Sequence, residues 1–252
     1  MKRKPIVGGN WKMHLTLGEA VDLASEVRNR LSSFGAVQTV VFPPYPYLHP
    51  VAARLHDSPI GLGAQDVHTE GKGAFTGAVS AAMLRSVGCQ WVLVGHSERR
   101  HVFGDSDDLV AKKLRVALAA GLKPVLCVGE KLDERKSGET FAVNRRQLRV
   151  ALAGLTAVEL AHLVIAYEPV WAIGTGLVAT PEQAQEVHAD VRAAVGELLG
   201  SAFAAQVRIQ YGGSVKGETA AGLLTKPDVD GLLVGGASLK AEEFAAIVRA
   251  KL

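Results

Sequence analysis

Leu163-Val164-Ile165-Ala166-Tyr167-Glu168-Pro169-Val170-Trp171-Ala172-Ile173-Gly174-Thr175-Gly176 is the stretch on which both the architecture and the chemistry turn. Its first five residues are too few for an ordinary helix and too apolar for a solvent-facing segment, so they read as a strand buried on both faces. Glu168 therefore stands at the C-terminal end of that strand. Pro169 restricts Glu168 to extended geometry and has no amide to donate to a neighbouring strand, so regular pairing stops there and an ordered turn begins. Val170, Trp171, Ala172 and Ile173 are apolar for a loop, and Gly174, Thr175 and Gly176 supply permissive backbone with free amides. The segment reads as an apolar lid with a glycine tip beside a carboxylate, an arrangement suited to proton transfer inside a closable pocket. Read alone, it also fits a buried connector with a Glu on its rim.

Strands buried on both faces belong to parallel sheets, and parallel strands need helical crossovers. The rest of the chain supplies them. Strand candidates begin at Pro5, Val37, Ile60, Trp91, Lys123, Leu163, Val207 and Val229, and periodic segments such as Gly18 to Leu31, Asp107 to Ala120, Pro181 to Leu199 and Ala241 to Leu252 lie between them. Thr180-Pro181-Glu182 is a helix start, with a hydroxyl cap, Pro in the first turn and an acid at the positive end. Eight alternations without a linker or a composition break predict an α/β protein, one (β/α)8 barrel domain spanning residues 1–252, whose length of 252 matches the roughly 250 residues typical of that fold. An open doubly wound sheet is the competitor, but no GxGxxG follows the first strand.

Composition narrows the function classes. Hydrophobic residues make up 48% of the chain, enough for a large core, and no apolar run approaches the ~20 residues that span a bilayer. Lys2, Arg3 and Lys4 are followed by too short an apolar run for a signal peptide. Cys89 and Cys127 follow no CxxC spacing, so a cytoplasmic location is expected. The net charge of +3 is scattered, giving mild attraction for small anions and no basic stripe for nucleic acid. No HExxH or close pair of ligand residues argues for a metal.

A barrel places its chemistry where strands end and loops begin, on the C-terminal face. Strand one ends in Gly9-Asn10-Trp11-Lys12, putting an amide and an ammonium at the rim, although a lone rim Lys reads equally as a solubilising charge. Strand four ends in Gly95, followed by His96-Ser97-Glu98-Arg99, and Ser97-Glu98 resembles the start of a short helix. Amides at a helix N-terminus disfavour an imidazolium, so His96 reads as a neutral histidine able to polarise a carbonyl, or as a satisfied rim histidine. After strands seven and eight come Gly212-Gly213-Ser214 and Gly235-Gly236. Each pair alone is a tight turn; two at adjacent strand ends, with Gly174 in the lid, read as a phosphate cradle.

Asn10-Trp11-Lys12-Met13, Gly95-His96-Ser97-Glu98-Arg99-Arg100, Tyr167 to Gly176 and Tyr211-Gly212-Gly213-Ser214-Val215 together resemble the triosephosphate isomerase family in order and spacing, from Gly9 to the C-terminus. The resemblance implies a TIM barrel that reversibly converts dihydroxyacetone phosphate into glyceraldehyde 3-phosphate without a cofactor. It implies Glu168 as the base that carries a proton between two carbons and His96 as the neutral electrophile serving the enediolate oxygens. Lys12 and Asn10 match the groups that hold the substrate oxygen. Ser97 and Glu98 match supporting residues, the latter near Lys12, and Cys127 matches a cysteine behind the site. The backbone at Gly174, Ser214, Gly235 and Gly236 corresponds to the phosphate cradle, and Tyr211 and Ser214 to residues that hold the lid shut. The elementary chemistry agrees, because abstracting a proton beside a carbonyl needs a base for carbon and simultaneous stabilisation of the new oxyanion.

The resemblance further implies a homodimer, since the long segment Gln65 to Thr76 matches a loop that enters a neighbouring subunit with Thr76 near the partner's active site; from the residues alone it is a prominent loop or a solvated excursion. Three departures stand out. Ala78 and Asp105 occupy positions where the family usually has Glu, which affects the electrostatics around Arg99, and Leu177 occupies a lid-hinge position where Lys is frequent. His14 replaces a common Asn. Two rival readings remain on the same barrel: a Schiff-base aldolase using Lys12 or Lys123, which the charge on Lys12 beside Glu98 opposes, and a catalytically silent phospholigand-binding barrel, which would need neither Glu168 nor His96.

Overall fold

The computed structural model describes residues 3–174 and 177–250. Eight parallel strands close in sequence order: β1 Ile6–Asn10, β2 Gln38–Phe42, β3 Gly61–Ala64, β4 Trp91–Val94, β5 Lys123–Val128, β6 Val164–Tyr167, β7 Arg208–Tyr211 and β8 Gly231–Val234. β8 returns to pair with β1, so no edge is left to pair with another chain. The surrounding helices are α1 Leu17–Leu31, α2 Leu48–Leu55, α3 Ala81–Ser86, α4 Ser97–His101, α5 Asp107–Ala119, α6 Leu132–Lys136, α7 Thr140–Leu152, α8 Pro181–Leu199, α9 Ser201–Gln206, α10 Gly217–Leu224 and α11 Ala241–Arg249. The chain is a TIM barrel, as its periodicity predicts.

The expected strand starts fall at or within two residues of the observed ones, at Trp91 and Lys123 without offset. α8 begins as its sequence dictates: the Thr180 hydroxyl accepts from the Gln183 amide at 3.2 Å and the Gln183 side chain accepts from the Thr180 amide at 3.0 Å, with Pro181 in the first turn. Thr175 and Gly176 of the lid tip, and Leu252 at the end of the last expected helix, lie outside the described residues.

Side-chain alternation builds two cores. Ile6, Val40, Phe42, Trp91, Leu93, Val125, Cys127, Val164, Ala166 and Leu233 fill the barrel interior, while the intervening strand residues pack outward against the helices. Space inside is shared between large and absent side chains: a Cβ at Gly63 would lie 2.3 Å from the Phe42 ring, so the β3 glycine and the β2 phenylalanine are one packing decision. Cys89 and Cys127 are both buried free thiols. No helix among the described residues is long and apolar enough to cross a membrane.

Candidate active site

Asn10, the last residue of β1, is buried, and its Oδ1 accepts from the Lys12 amide at 3.0 Å. That bond closes a tight turn in which Lys12 takes φ of +52°, a left-handed conformation with a steric cost for a residue bearing a Cβ. The turn is held from outside by Gln65, whose Nε2 donates to the carbonyls of Lys12 at 2.8 Å and Phe42 at 2.9 Å. Lys12 Nζ is thereby delivered to the rim, where it donates to Glu98 Oε1 at 2.7 Å.

Gly95 ends β4 in the left-handed region, with φ of +74°, and turns the chain into α4. His96 caps that helix with its own ring: Nδ1 accepts from the Glu98 amide at 3.2 Å. An acceptor nitrogen carries no proton, so the ring proton sits on Nε2. The Glu98 amide thus opposes a proton on Nδ1. Nε2 faces Asn10 Nδ2 at 3.2 Å and Glu168 Oε1 at 3.0 Å.

Glu168 follows β6 directly, and its side chain is 2% exposed. Its second oxygen accepts from the Ser97 amide at 2.7 Å. Burial works against the carboxylate, but His96, the Ser97 amide and Lys12 outweigh it and leave the carboxyl below its ordinary value. For His96, burial opposes protonation while the charges of Glu168 and Glu98 favour it, and the net direction is upward. The upward pull depends on Glu168 being ionised. Once that carboxylate holds a proton, burial and the Glu98 amide both favour the neutral ring.

Two glycines make the room that Glu168 occupies. A Cβ at Gly129, after β5, would lie 1.8 Å from the Glu168 carbonyl oxygen, and one at Gly212, after β7, would lie 2.8 Å from Glu168 Cγ. Gly212 and Gly213 line the cavity as well, and each is also needed for packing: Gly212 leaves room for the carboxylate, and Gly213 lies against the Tyr211 ring, where a Cβ would come within 2.2 Å of the hydroxyl. Of the paired glycines, Gly235 and Gly236 are the open ones. A Cβ at Gly236 would meet nothing within 4 Å, and one at Gly235 would approach only Lys12, at 3.5 Å.

Asn10, Lys12, His96, Glu168, Gly174, Ser214, Gly235 and Gly236 all line one cavity of about 410 Å³ on the C-terminal face of the barrel. The model of the triosephosphate isomerase family matches residues 5–251. Curated triosephosphate isomerases from Roseiflexus sp. (strain RS-1), Symbiobacterium thermophilum and Carboxydothermus hydrogenoformans are 51%, 53% and 51% identical to the chain, covering 98%, 98% and 99% of it and 97%, 97% and 100% of their own lengths. The chain belongs to the triosephosphate isomerase family.

Other expected residues lie at or near the strand ends around this cavity. Cys127 lies in the barrel interior below it, its thiol pushed well up by burial and then by the Glu168 charge. Ser214 Oγ donates to the Ala172 carbonyl at 2.9 Å, tying the lid to the loop after β7. Burial pushes the Tyr211 phenol up to about 12, with the Ala179 backbone amide acting in the opposite sense. Asp105, though shorter than Glu, still reaches Arg99 at 3.2 Å, and Arg99 also meets Asp66 at 3.3 Å and stacks on Phe103 at 4.3 Å. Arg99 is thus paired within its own chain.

The sequence reading passed over Glu130. It is fully buried, and its Oε1 accepts from the Tyr167 hydroxyl at 3.0 Å and the Trp171 indole at 2.9 Å, with Arg135 at 3.3 Å. The first turn of the lid, Val170–Ala172, is moored to this carboxylate. A signal was present: Gly129-Glu130 after β5 repeats the glycine-then-polar pattern that marked Gly95-His96. Arg100 was also missed. It donates to the carbonyls of Gly95 at 2.8 Å and Cys127 at 3.1 Å and to Asp107 at 2.7 Å, bracing the end of β4 from beneath.

Proposed function

We propose that this protein interconverts dihydroxyacetone phosphate and D-glyceraldehyde 3-phosphate through an enediolate, as a step of glycolysis and gluconeogenesis. The observation that carries the reading is the meeting of the Glu168 carboxylate and His96 Nε2, 3.0 Å apart, in a cavity whose far side is open glycine backbone. Glu168 releases the Ser97 amide or His96 and takes a proton from the carbon beside the carbonyl. His96 donates through Nε2–H to the oxygen on which charge develops, Asn10 and the Lys12 ammonium stabilise that charge, and Glu98 holds Lys12 in place. The phosphoryl group rests on the backbone of Gly174, Ser214, Gly235 and Gly236. A positioned base contributes about 10²- to 10⁴-fold, and each preorganised oxyanion donor roughly 3–4 kcal/mol, so base and donors act together.

The reaction needs no cofactor, and the enzyme works in the cytoplasm, apart from nucleic acid and membrane. It acts as a homodimer through the loop Gln65 to Thr76. Supporting this, Met13, Val102, Phe103 and Phe75 are 94%, 74%, 66% and 44% exposed, too apolar a set to be left to solvent. A second cavity of about 180 Å³, lined by Lys12, Met13, Gln65, Glu98 and Phe103, opens beside the first. Of the rival chemistries, a Schiff base at Lys123 is disfavoured because that residue begins β5, at the opposite end of the barrel from the cavity.

Isomerisation of glyceraldehyde 3-phosphate by wild type and Glu168→Asp tests the assignment. The shorter side chain withdraws the base, and a misplacement near 1 Å costs about 10² in rate, so a loss of at least about tenfold is expected. Equal activity of the two would remove Glu168 from this role.

A further inference from the structure

Behind the lid lie three buried rings. Tyr167 and Tyr211 end the neighbouring strands β6 and β7, their centroids 6.5 Å apart at 62°. His188, from α8, meets Tyr167 edge-on at 5.8 Å and 87° and Tyr211 obliquely at 6.4 Å and 30°. Nδ1 of His188 lies 3.2 Å from the Asp228 carbonyl. A carbonyl only accepts, so Nδ1 carries the ring proton and Nε2 presents a lone pair, which is buried without a hydrogen-bond partner. Packing alone does not call for histidine here, because a phenyl ring would fill the space without burying an unpaired nitrogen.

Each tyrosine secures one side of the base and lid. Tyr167 shares Glu130 with Trp171 at the lid's first turn. Tyr211 precedes Gly212, whose amide donates to the Tyr167 carbonyl at 2.7 Å and whose Cα lies against the Glu168 side chain, and Ser214 follows with its bond to Ala172. The two supports are separate in sequence, and His188 is the ring that touches both.

We infer that His188 is a positioning residue for the isomerisation: its imidazole, tethered to the Asp228 carbonyl, holds Tyr167 and Tyr211 in register, so that Glu168 and the closed lid enclose the enediolate together. The inference rests on the lid and base roles proposed above. The groups that face His188 are compatible with a permanently neutral ring: Arg192 on its own helix, Asp228 and Asp230 before β8, and the uncharged phenols of β6 and β7. Burial pushes its pKa down to about 4, so the ring stays neutral at the near-neutral pH of the isomerisation assay.

Loss of register has a chemical signature. An enediolate in an open pocket expels the phosphate beta to it: the oxyanion lone pair forms a C=O bond, the enediolate C=C pair shifts to make a new C=C bond to the carbon bearing the phosphate, the C–O bond to phosphate breaks with its electrons leaving on inorganic phosphate, and the remaining enol tautomerises to methylglyoxal with no change of overall oxidation state. The ratio of phosphate released to isomerisation turnovers therefore reads closure independently of how much enzyme is folded. His188→Phe keeps a ring and removes the tether, while Arg192 Nη2 at 3.2 Å still satisfies the Asp228 carbonyl. The ratio is expected to rise about fivefold, the scale of one net hydrogen bond, with thermal stability unchanged or higher. His188→Asn, which restores an N–H near the position of Nδ1, should bring the ratio back toward wild type. A ratio in His188→Phe within twofold of wild type, or an equal rise in both variants, would overturn the inference. If His188→Phe does not fold, His188→Tyr, which also keeps a ring and lacks the Nδ1–H, makes the same comparison. Failure of the Glu168→Asp test would sink the base assignment whatever His188 does, so the two results are separable.

Discussion

Replacing Gly212 by Ala puts one methyl group against the proposed base without touching a chemical group of the site. The added Cβ would lie 2.8 Å from Glu168 Cγ and 3.2 Å from the Tyr167 carbonyl oxygen. The carbonyl belongs to a strand pair and accepts from the Gly212 amide itself, so the side chain of Glu168 must yield. Restoring an ordinary contact of about 3.4 Å moves Cγ by roughly 0.6 Å, and at about 10² in rate per ångström of misplacement the loss in kcat/KM is roughly 10- to 20-fold. Overpacking also destabilises by about 1–3 kcal/mol, so activity is to be measured well below the melting temperature and normalised to folded protein by circular dichroism. Gly18→Ala is the reference, since a Cβ there would meet nothing within 4 Å and the residue lies in the first turn of α1. The coupled assay for glyceraldehyde 3-phosphate isomerisation reads both. Activity of Gly212→Ala within twofold of Gly18→Ala would refute the claim that this glycine sets the position of the carboxylate.

Because His96 acts as a neutral donor and the Glu168 charge holds its pKa above the ordinary value of 6.5, kcat/KM corrected for the second ionisation of the phosphoryl group (near pH 6) should already be falling as the pH drops to 6.5, while Glu168, its pKa below the ordinary 4.5, protonates only under that value; a corrected profile flat down to pH 4.5 would contradict a neutral His96 in the reaction. Glu130→Gln keeps the shape of the lid mooring but removes the charge to which Tyr167, Trp171 and Arg135 donate. At about 2 kcal/mol for a buried bond to a charged group, the melting temperature should drop by roughly 4–8 °C and the phosphate-release ratio should rise; a variant with both unchanged would show that the lid does not depend on this carboxylate.

Much of the site was legible because barrel chemistry sits at strand ends, and strand ends are marked by local chemistry. Pro169 stops β6 one residue after Glu168, Gly95 turns β4 into the helix that His96 caps, and the glycine pairs follow β7 and β8, all consequences of backbone freedom along a few residues. Gln65, His188 and the partners of Glu130 were illegible for the opposite reason. Each acts on residues distant in sequence: Glu130 on Trp171, Gln65 on Lys12 and Phe42, His188 on Tyr211 and Asp228. No spacing rule encodes such pairs. The separate uses of Gly212, Gly213, Gly235 and Gly236 were hidden too, since identical dipeptides differ only in what their Cα atoms approach.

The amino-acid order by itself determined the eightfold alternation, the face of the barrel that bears the chemistry and the residue types available there, because hydrophobic period and turn-forming residues act over a few positions at a time. Tertiary structure alone decided that the Glu168 carboxylate meets the ring proton of His96, that its space is carved by glycines just after both neighbouring strands, and that the lid is moored to a buried carboxylate that follows β5. Those outcomes depend on which strands closure makes adjacent, and adjacency across a closed sheet is a property of the whole chain.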